Sequence, residues 1–305
     1  MTCDRPPAVR VLVARALAAA AAALALAVPL AASAQDAATL KSRHGALGAK
    51  LADNPFGRPL VLESKESSGD LRGDVYSVVE HPYPVVLQSL RGVDSWCDVL
   101  LLHLNVKGCK ATAGAAPAIT LNVGRKFDQS LEDAYALEFA FKPVAATNDY
   151  LQVQLTAPEG PLSTKNYRIV VEAIPLDGRK TFVHMSYAYG YGFTAKMAMQ
   201  TYLATVGRDK VGFSQVESSS GGGQTTHIGG VLGLLERNTM RYYLAIDAYL
   251  SAHAAPKAEQ AERRLKAWFG ATEKYAKQLR EMGEAEYMDM KRKELRRAQD
   301  VAKAT

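Results

Sequence analysis

Cysteine is scarce in this sequence. Only three cysteines occur among the 305 residues, and no two of them form a Cys-x-x-Cys pair. The six histidines lack the spacing of metal ligands, and the patterns Gly-x-Ser-x-Gly and His-Glu-x-x-His are both missing. These absences exclude the zinc sites, serine hydrolases and metalloproteases that depend on such motifs. The sequence therefore predicts no metal, no cofactor and no catalytic residue.

Basic charge is also sparse over most of the chain. The formal net charge is +6, and residues 257–305 alone contain 13 basic and 9 acidic side chains. The body of the protein is therefore close to neutral, whereas a nucleic-acid-binding domain usually presents a basic face. We expect no nucleic-acid partner.

No apolar run is long enough to span a bilayer comfortably. The run Ala16–Leu30 is shorter than the about 20 residues that a transmembrane helix needs. Basic residues precede it and an Ala-Ser-Ala triplet ends at Ala34, which is the pattern of a cleaved secretory leader. We expect residues 1–34 to be a signal peptide and the mature chain to be periplasmic or secreted, without a transmembrane anchor. A retained N-terminal anchor is the alternative.

Cys97 and Cys109 are the cysteines that remain after this leader. An even number of cysteines in an oxidising compartment indicates a disulfide. The bond would close a short loop and stabilise the fold by about 3 kcal/mol in the chain-entropy treatment. A metal site is the alternative, and the scattered histidines disfavour it.

The centre of the chain alternates between apolar and polar side chains. The alternation runs through five consecutive segments: residues 119–123, 135–141, 151–155, 167–171 and 183–191. A period of two over so many segments predicts an antiparallel sheet with one apolar face. The Asp-Gly pair at 177–178 is typical of a hairpin between two of these strands.

Helical patterns flank the predicted sheet. A leading segment, residues 35–57, is expected to hold a short helix that ends at Asn54-Pro55. After the sheet, Ala195–Val206 is interpreted as a short helix, Val211–Val216 as a last strand and Gly230–Ala252 as an amphipathic closing helix.

The C-terminal part is a charged helical tail. Its acid-first i,i+4 pairs favour helix, while its apolar positions are few, so we expect it to bury little and to be dispensable for folding. Such a tail could dock a protein partner in the cell envelope. The predicted organisation is a signal peptide (1–34), a leading segment (35–57), a core domain (58–255) and the tail (256–305).

The order of these elements resembles the START-like, or helix-grip, superfamily. The pieces that carry the resemblance are Asp74–Glu80, the helix at Pro84–Leu90, Trp96, the hairpins up to Tyr191 and the helix through Tyr242-Tyr243. The resemblance implies an α+β fold in which a curved antiparallel sheet grips a C-terminal helix around an apolar cavity. The superfamily includes lipid and sterol carriers, hormone receptors, cyclases and ring-hydroxylase subunits, so the fold alone does not select a function.

An aromatic stripe and an arginine pair form the candidate ligand site. We expect the cavity to be bounded by Phe139, Tyr167, Tyr187, Tyr189 and Tyr243. Arg237 and Arg241 stand four residues apart on one helix face, where they could clasp a carboxylate or a phosphate. The alternatives are that the tyrosines are ordinary core and that the arginines form a buried ion pair or a plain surface face.

Five further polar residues fall on the predicted strands: Arg125, Glu138, Arg168, Glu172 and His184. In the expected register they lie on the polar face as cross-strand pairs. In another register some would point inward and become acid–base candidates.

The interpretation that we favour is an exported protein that binds, and carries, a hydrophobic small molecule such as a lipid. The first alternative is an enzyme on the same scaffold, of the cyclase or hydrolase type. The second is an envelope interaction protein with a filled core and no ligand. A buried carboxylate beside His184 or Arg168 would favour the enzyme.

Overall fold

The computed structural model describes residues 29–205, 207–217 and 225–303. Residues 1–46 and 47–305 form two compact units. The described part of the first unit is the N-terminal part of helix α1 (Pro29–Ala52), which is much longer than the short helix expected from the sequence. Most of the predicted signal peptide lies outside the described residues. Helix α1 ends where predicted, because Asn54 bonds back to the Leu51 carbonyl at 3.0 Å and Pro55 cannot continue the helix.

The second unit is built on one eight-stranded antiparallel sheet with the strand order β1-β2-β8-β7-β6-β5-β4-β3. Its strands are β1 (Leu60–Ser67), β2 (Asp70–Val79), β3 (Val106–Thr112), β4 (Ala118–Val123), β5 (Tyr135–Ala146), β6 (Leu151–Glu159), β7 (Thr164–Pro175) and β8 (Thr181–Tyr191). All five alternating segments of the sequence are strands of this sheet, so the predicted antiparallel sheet is confirmed.

The sheet grips helix α5 (Gly230–Ser251), which packs across β1, β2 and β8. The helix approaches β2 closely at Gly73, where a Cβ atom would collide with the side chain of Thr239. Further along the helix, the Tyr243 hydroxyl donates to Ser77 Oγ at 2.8 Å. We call the sheet face turned to α5 the inner face and the opposite one the outer face. The α+β, START-like arrangement of a sheet around a C-terminal helix is therefore confirmed.

The two faces of the sheet differ from strand to strand. Strands β5 and β6 alternate between buried and more exposed residues, as the period of two predicts. Strand β8 is buried on both faces, because Phe182, His184 and Ser186 on its outer face are as inaccessible as its inner-face residues. The expectation of a single buried face is therefore wrong for β8, and polar side chains there are enclosed.

Two short helices, α2 (Tyr83–Leu90) and α3 (Asp94–Leu100), connect β2 to β3. Trp96 fixes the junction between them, because its indole N–H donates to the Leu90 carbonyl at 3.0 Å. Cys97 of α3 and Cys109 of β3 form a disulfide with their Cα atoms 5.4 Å apart, which confirms the predicted pair.

Replacing both cysteines by serine is expected to lower the free energy of unfolding by about 3 kcal/mol, because the bond closes a loop whose ends are 12 residues apart. Urea unfolding of the native protein and the double variant measures the difference. Thiol labelling of the denatured, unreduced native protein is the companion test. Two labelled thiols in that test would contradict the disulfide.

Helix α4 (Phe193–Ala204) follows the sheet, and a separate hairpin, β9 (Gln215–Glu217) with β10 (Thr225–His227), precedes α5. Of the expected last strand at Val211–Val216, only Gln215 and Val216 lie in a strand, because the residues before them bond to helix α5. The Glu236 carboxylate on α5 accepts from the backbone N–H groups of Phe213 at 2.6 Å and Ser214 at 2.9 Å.

Three helices form the C-terminal region: α6 (Lys257–Glu273), α7 (Ala276–Leu279) and α8 (Glu284–Lys303). The Trp268 and Tyr287 rings stack with centroids 5.0 Å apart. Trp268 donates to the Arg241 carbonyl at 3.1 Å, and Tyr287 donates to the Leu102 carbonyl at 3.0 Å. The expectation that this tail buries little is wrong, because a few large side chains dock it onto the core.

Candidate functional site

A cavity of about 320 Å³ lies between the inner face of the sheet and helix α5, and helix α4 covers it. We call it the tyrosine cavity. The sheet contributes Tyr167, Tyr187 and Tyr189, and α5 contributes Tyr242. Because these positions alternate along β7 and β8, the strand geometry places all three sheet tyrosines on the face turned to the helix.

The tyrosines form one continuous aromatic wall. Tyr167 and Tyr189 stack with ring centroids 5.3 Å apart, and Tyr189 is 5.4 Å from Tyr187. Tyr187 in turn is 5.1 Å from Tyr242 on the helix. Burial raises the pKa of the Tyr187, Tyr189 and Tyr242 hydroxyls, so these groups are neutral. The wall therefore offers flat apolar surface edged by neutral hydroxyls.

The structure places three of the five predicted cavity residues in this wall. Phe139 lies behind it, edge-on to Tyr167 with centroids 6.2 Å apart. Tyr243 points elsewhere, toward Ser77 on β2, and its neighbour Tyr242 faces the cavity instead. The cavity side of the helix carries Leu234, Asn238 and Tyr242, which stand four residues apart. That spacing was the available signal for Tyr242.

Arg237 and Arg241 share a helix face as predicted, but that face meets the C-terminal region. The Arg241 guanidinium donates to Glu281 at 2.7 Å and to the Leu279 carbonyl at 3.2 Å. Arg237 is fully buried beside Tyr202, yet its guanidinium makes no hydrogen bond of normal geometry with any residue that the structure describes. Neither arginine is among the described residues that line the tyrosine cavity.

The polar end of the cavity is formed by His103, Asn105 and Lys126. His103 stacks on Tyr242 with ring centroids 4.5 Å apart. The backbone N–H of Asn105 donates to His103 Nδ1 at 3.1 Å, which leaves the proton of the neutral ring on Nε2. Burial and the nearby charges of Arg241 and other cations hold the pKa of His103 well below its usual value, so the ring is neutral.

Sequence reasoning missed His103 and Lys126 as site residues. They lie in the segments before β3 and after β4, and nothing in their spacing links them to the tyrosines. The antiparallel pairing of β3 with β4 brings these two segments together, since Val106 lies opposite Val123 and the Gly124 N–H donates to the Asn105 carbonyl at 2.7 Å.

A second polar cluster lies on the outer face. His184 bonds to Glu172 through Nδ1 at 2.6 Å and to Asp74 through Nε2 at 2.8 Å. Arg72 also pairs with Asp74 at 2.8 Å. Carboxylates thus accompany His184. Because side chains alternate along a strand, however, His184 lies on the face of β8 opposite to that of Tyr187. The cluster cannot supply acid–base groups to a ligand in the tyrosine cavity.

The other polar strand residues of the sequence analysis lie at the surface. Arg125, Glu138 and Arg168 are all exposed. Within the described ranges, no helix has the length and apolar character needed to cross a bilayer. The same part of the chain brings no group of three or more His, Cys, Asp or Glu side chains together in a way that could hold a metal ion.

No protein-family model and no curated protein matches this chain. Solved structures with a similar arrangement include a protein of Thermus thermophilus, with a TM-score of 0.37 and 12% identity, covering 61% of this chain and 99% of the other. A START superfamily protein from Mycobacterium smegmatis has a TM-score of 0.30 and 12% identity, with 45% and 92% coverage. Norcoclaurine synthase from Thalictrum flavum has a TM-score of 0.29 and 12% identity, with 48% and 77% coverage.

Proposed function

We propose that this protein binds a hydrophobic small molecule non-covalently in the tyrosine cavity. The observation that carries the proposal is the cavity itself, about 320 Å³ in volume and walled by stacked tyrosines. Its volume lies at the lower end of the range of about 300–1,000 Å³ for ligand pockets, which suits one compact apolar body. Tyrosine hydroxyls at the edge of such a wall can orient the ligand.

Helix α4 supports the proposal because it is a cover that can open at low cost. Ala195 is its one buried residue among those that the structure describes, so little apolar surface holds the helix down. Phe193 and Met197 on the same helix are 79% and 48% exposed. A ligand could therefore enter by displacement of α4 while the sheet and α5 stay in place.

We extend the proposal to an exported carrier of a lipid-like ligand. The leader pattern in residues 1–34 and the Cys97–Cys109 disulfide support export, since disulfides persist in oxidising compartments. The exposed apolar cover over the cavity supports exchange with a hydrophobic environment. An envelope protein partner of the tail stays a prediction.

Replacing Tyr187 by tryptophan tests the proposal. The larger ring narrows the cavity, so affinity for the neutral fluorophore N-phenyl-1-naphthylamine is expected to fall about tenfold with little loss of stability. Fluorescence titration and a thermal melt on the same variant measure the two effects.

Two control variants separate a cavity from a filled core. Phe141→Trp changes a packed core position away from the cavity, so it is expected to destabilise by about 1–3 kcal/mol through overpacking while probe affinity is kept. Tyr135→Trp, at a side chain that is 53% exposed, is expected to change neither quantity. The proposal would be refuted if the native protein bound no probe and Tyr187→Trp were destabilised as much as Phe141→Trp.

A further inference from the structure

Resting on the proposed function, we propose that the ligand is an anionic amphiphile whose carboxylate or phosphate group binds at the His103–Lys126 end of the tyrosine cavity. Three observations support an acid group at this end: a donor without an acceptor, an excess of positive charge, and a continuous apolar wall that begins there.

The first observation is the imidazole of His103. His103 lines the tyrosine cavity with a ring that is only 2% exposed, and no group in the described part of the chain accepts a hydrogen bond from its Nε2–H. Leaving a buried donor unpaired costs about 1–3 kcal/mol. A ligand oxygen at this position would remove that cost, and an anionic oxygen would accept most strongly.

The second observation is the local charge. Lys126, at the cavity edge, and Arg241 both bond to Glu281, at 2.6 and 2.7 Å, and Lys210 lies 3.6 Å from the same carboxylate. Arg237 adds a fourth cation, which is buried beside Tyr202 and forms no salt bridge with a carboxylate among the described residues. One carboxylate therefore balances several cations.

Glu236 is the other carboxylate near Arg237. Its oxygens are already engaged by Ser64 Oγ at 2.7 Å, Ser214 Oγ at 2.6 Å and two backbone N–H groups. No described residue that lines the tyrosine cavity is acidic. The remaining positive charge at this end favours an anion, and low-dielectric surroundings strengthen that preference.

The third observation is the direction of the aromatic wall. Tyr242 stacks on His103, and Tyr187, Tyr189 and Tyr167 follow in sequence away from it. A molecule with its acid group at His103 would lay its apolar body along this wall. The small volume of the cavity selects one compact chain or ring system over a bulky one.

Competition against N-phenyl-1-naphthylamine tests the inference. Dodecanoate, dodecyl phosphate and dodecanol share one chain and differ in head group. We expect at least one acid to displace the probe at about tenfold lower concentration than the alcohol does. The comparison of the two acids distinguishes a carboxylate site from a phosphate site.

Two variants locate the head group. Lys126→Met and His103→Phe are each expected to reduce the preference for the acid over dodecanol to less than about threefold. His103→Phe preserves the stack on Tyr242, and Lys126→Met tests the site independently should the histidine variant fold poorly. Lys293→Met, at a lysine that is 55% exposed, is the matched control and should keep the full preference.

The outcomes separate this inference from the proposed function. Equal displacement by acids and alcohol in the wild type would overturn the anionic site and leave the hydrophobic site standing. A preference for the acids that survives both variants would also overturn the assignment to this end. No binding of probe or amphiphile would refute the proposed function itself.

Discussion

Replacing Glu294 by glutamine is expected to lower the free energy of unfolding by about 3–5 kcal/mol, because it leaves buried charges uncompensated. The Glu294 carboxylate on α8 accepts from Lys107 at 3.1 Å and from Lys291 at 2.7 Å, and all three side chains are at most 1% exposed. Carbonyl groups accept further bonds from both lysines, but only Glu294 offsets their charge within this triad. Urea unfolding at pH 7 measures the loss.

The pH dependence of this variant gives a second readout. Burial lowers the pKa of Lys291 to about 8, and the charge of Glu294 offsets part of that effect. Without the carboxylate, the pKa values of both lysines fall further below their ordinary value. The folded state then binds fewer protons than the unfolded state, so stability rises with pH. The deficit of Glu294→Gln should therefore shrink as pH rises to the lysine pKa values of the native protein, about 8 for Lys291.

Glu286→Gln is the matched control, since Glu286 is exposed on the same helix. Its effect is expected to stay within about 0.5 kcal/mol. If Glu294→Gln lowered the free energy of unfolding no more than this control does, Lys107 and Lys291 would not be enclosed under α8. The C-terminal region would then be the loosely attached tail that the sequence predicts.

The C-terminal region illustrates what charge counting misses. The favourable acid-first pairs correctly predict helix, and two of them, Glu259–Arg263 and Glu262–Lys266, form. The mean polarity of the segment does not reveal Trp268 and Tyr287, whose buried rings dock the C-terminal helices onto the core. Composition averaged over a segment cannot identify the few side chains that bury most surface, because large aromatic rings contribute far more area each than the charged residues around them.

The sheet was predictable because strand alternation is a local property. Tyr167, Tyr187 and Tyr189 follow from a period of two that needs no knowledge of distant residues. The helix side of the cavity was less predictable, since the choice between Tyr242 and Tyr243 depends on the rotation of α5 against the sheet. The pairing of β3 with β4 brings the segments of His103 and Lys126 together, but nothing in the sequence shows that this end of the pair meets the tyrosines.

The outer face was misjudged for a related reason. Alternation separates two faces of a strand, but it does not say whether the second face meets water. The alternation predicts His184 to be a member of exposed cross-strand pairs, whereas it is 5% exposed and lies between two carboxylates. Because His184 is buried, breaking those contacts costs far more stability than breaking a surface pair does.

The pH dependence of the native protein should carry the signature of this cluster. Burial alone would lower the pKa of His184, but its hydrogen bonds to Asp74 and Glu172 outweigh burial and raise it. Burial opposes ionisation of the carboxylates too, and the bonds to His184 and its neighbours outweigh it, so the pKa of Asp74 falls to about 2 and that of Glu172 is also lowered.

These directions define a pH window. The stabilisation from His184 is complete below its ordinary pKa of 6.5 and is lost as pH rises through the raised value. The stabilisation from the carboxylates is complete above the ordinary glutamate value of 4.5 and is lost as pH falls toward the lowered values. The cluster therefore contributes most between pH 4.5 and 6.5.

Replacing His184 by phenylalanine is expected to lower the free energy of unfolding by about 3–5 kcal/mol at pH 6, because two buried carboxylates lose their shared partner. Tyr76 stacks on His184 with ring centroids 4.4 Å apart, and phenylalanine keeps an aromatic ring in that position. The loss of stability therefore measures the loss of charge interactions more than a loss of packing. In the variant, burial raises the carboxylate pKa values, and the folded state binds more protons than the unfolded one. Its stability should then keep increasing as pH falls toward 4.5, whereas the native protein loses the stabilisation from its carboxylates as pH falls below that value.

Urea unfolding of both proteins from pH 7 down to about 4 measures this difference. His253→Phe introduces the same ring at an exposed histidine and is expected to change stability by no more than about 0.5 kcal/mol. A His184→Phe variant that matches this control in size and in pH profile would mean that water reaches Asp74 and Glu172. In that case the outer-face cluster would be a set of surface pairs, as the sequence suggests.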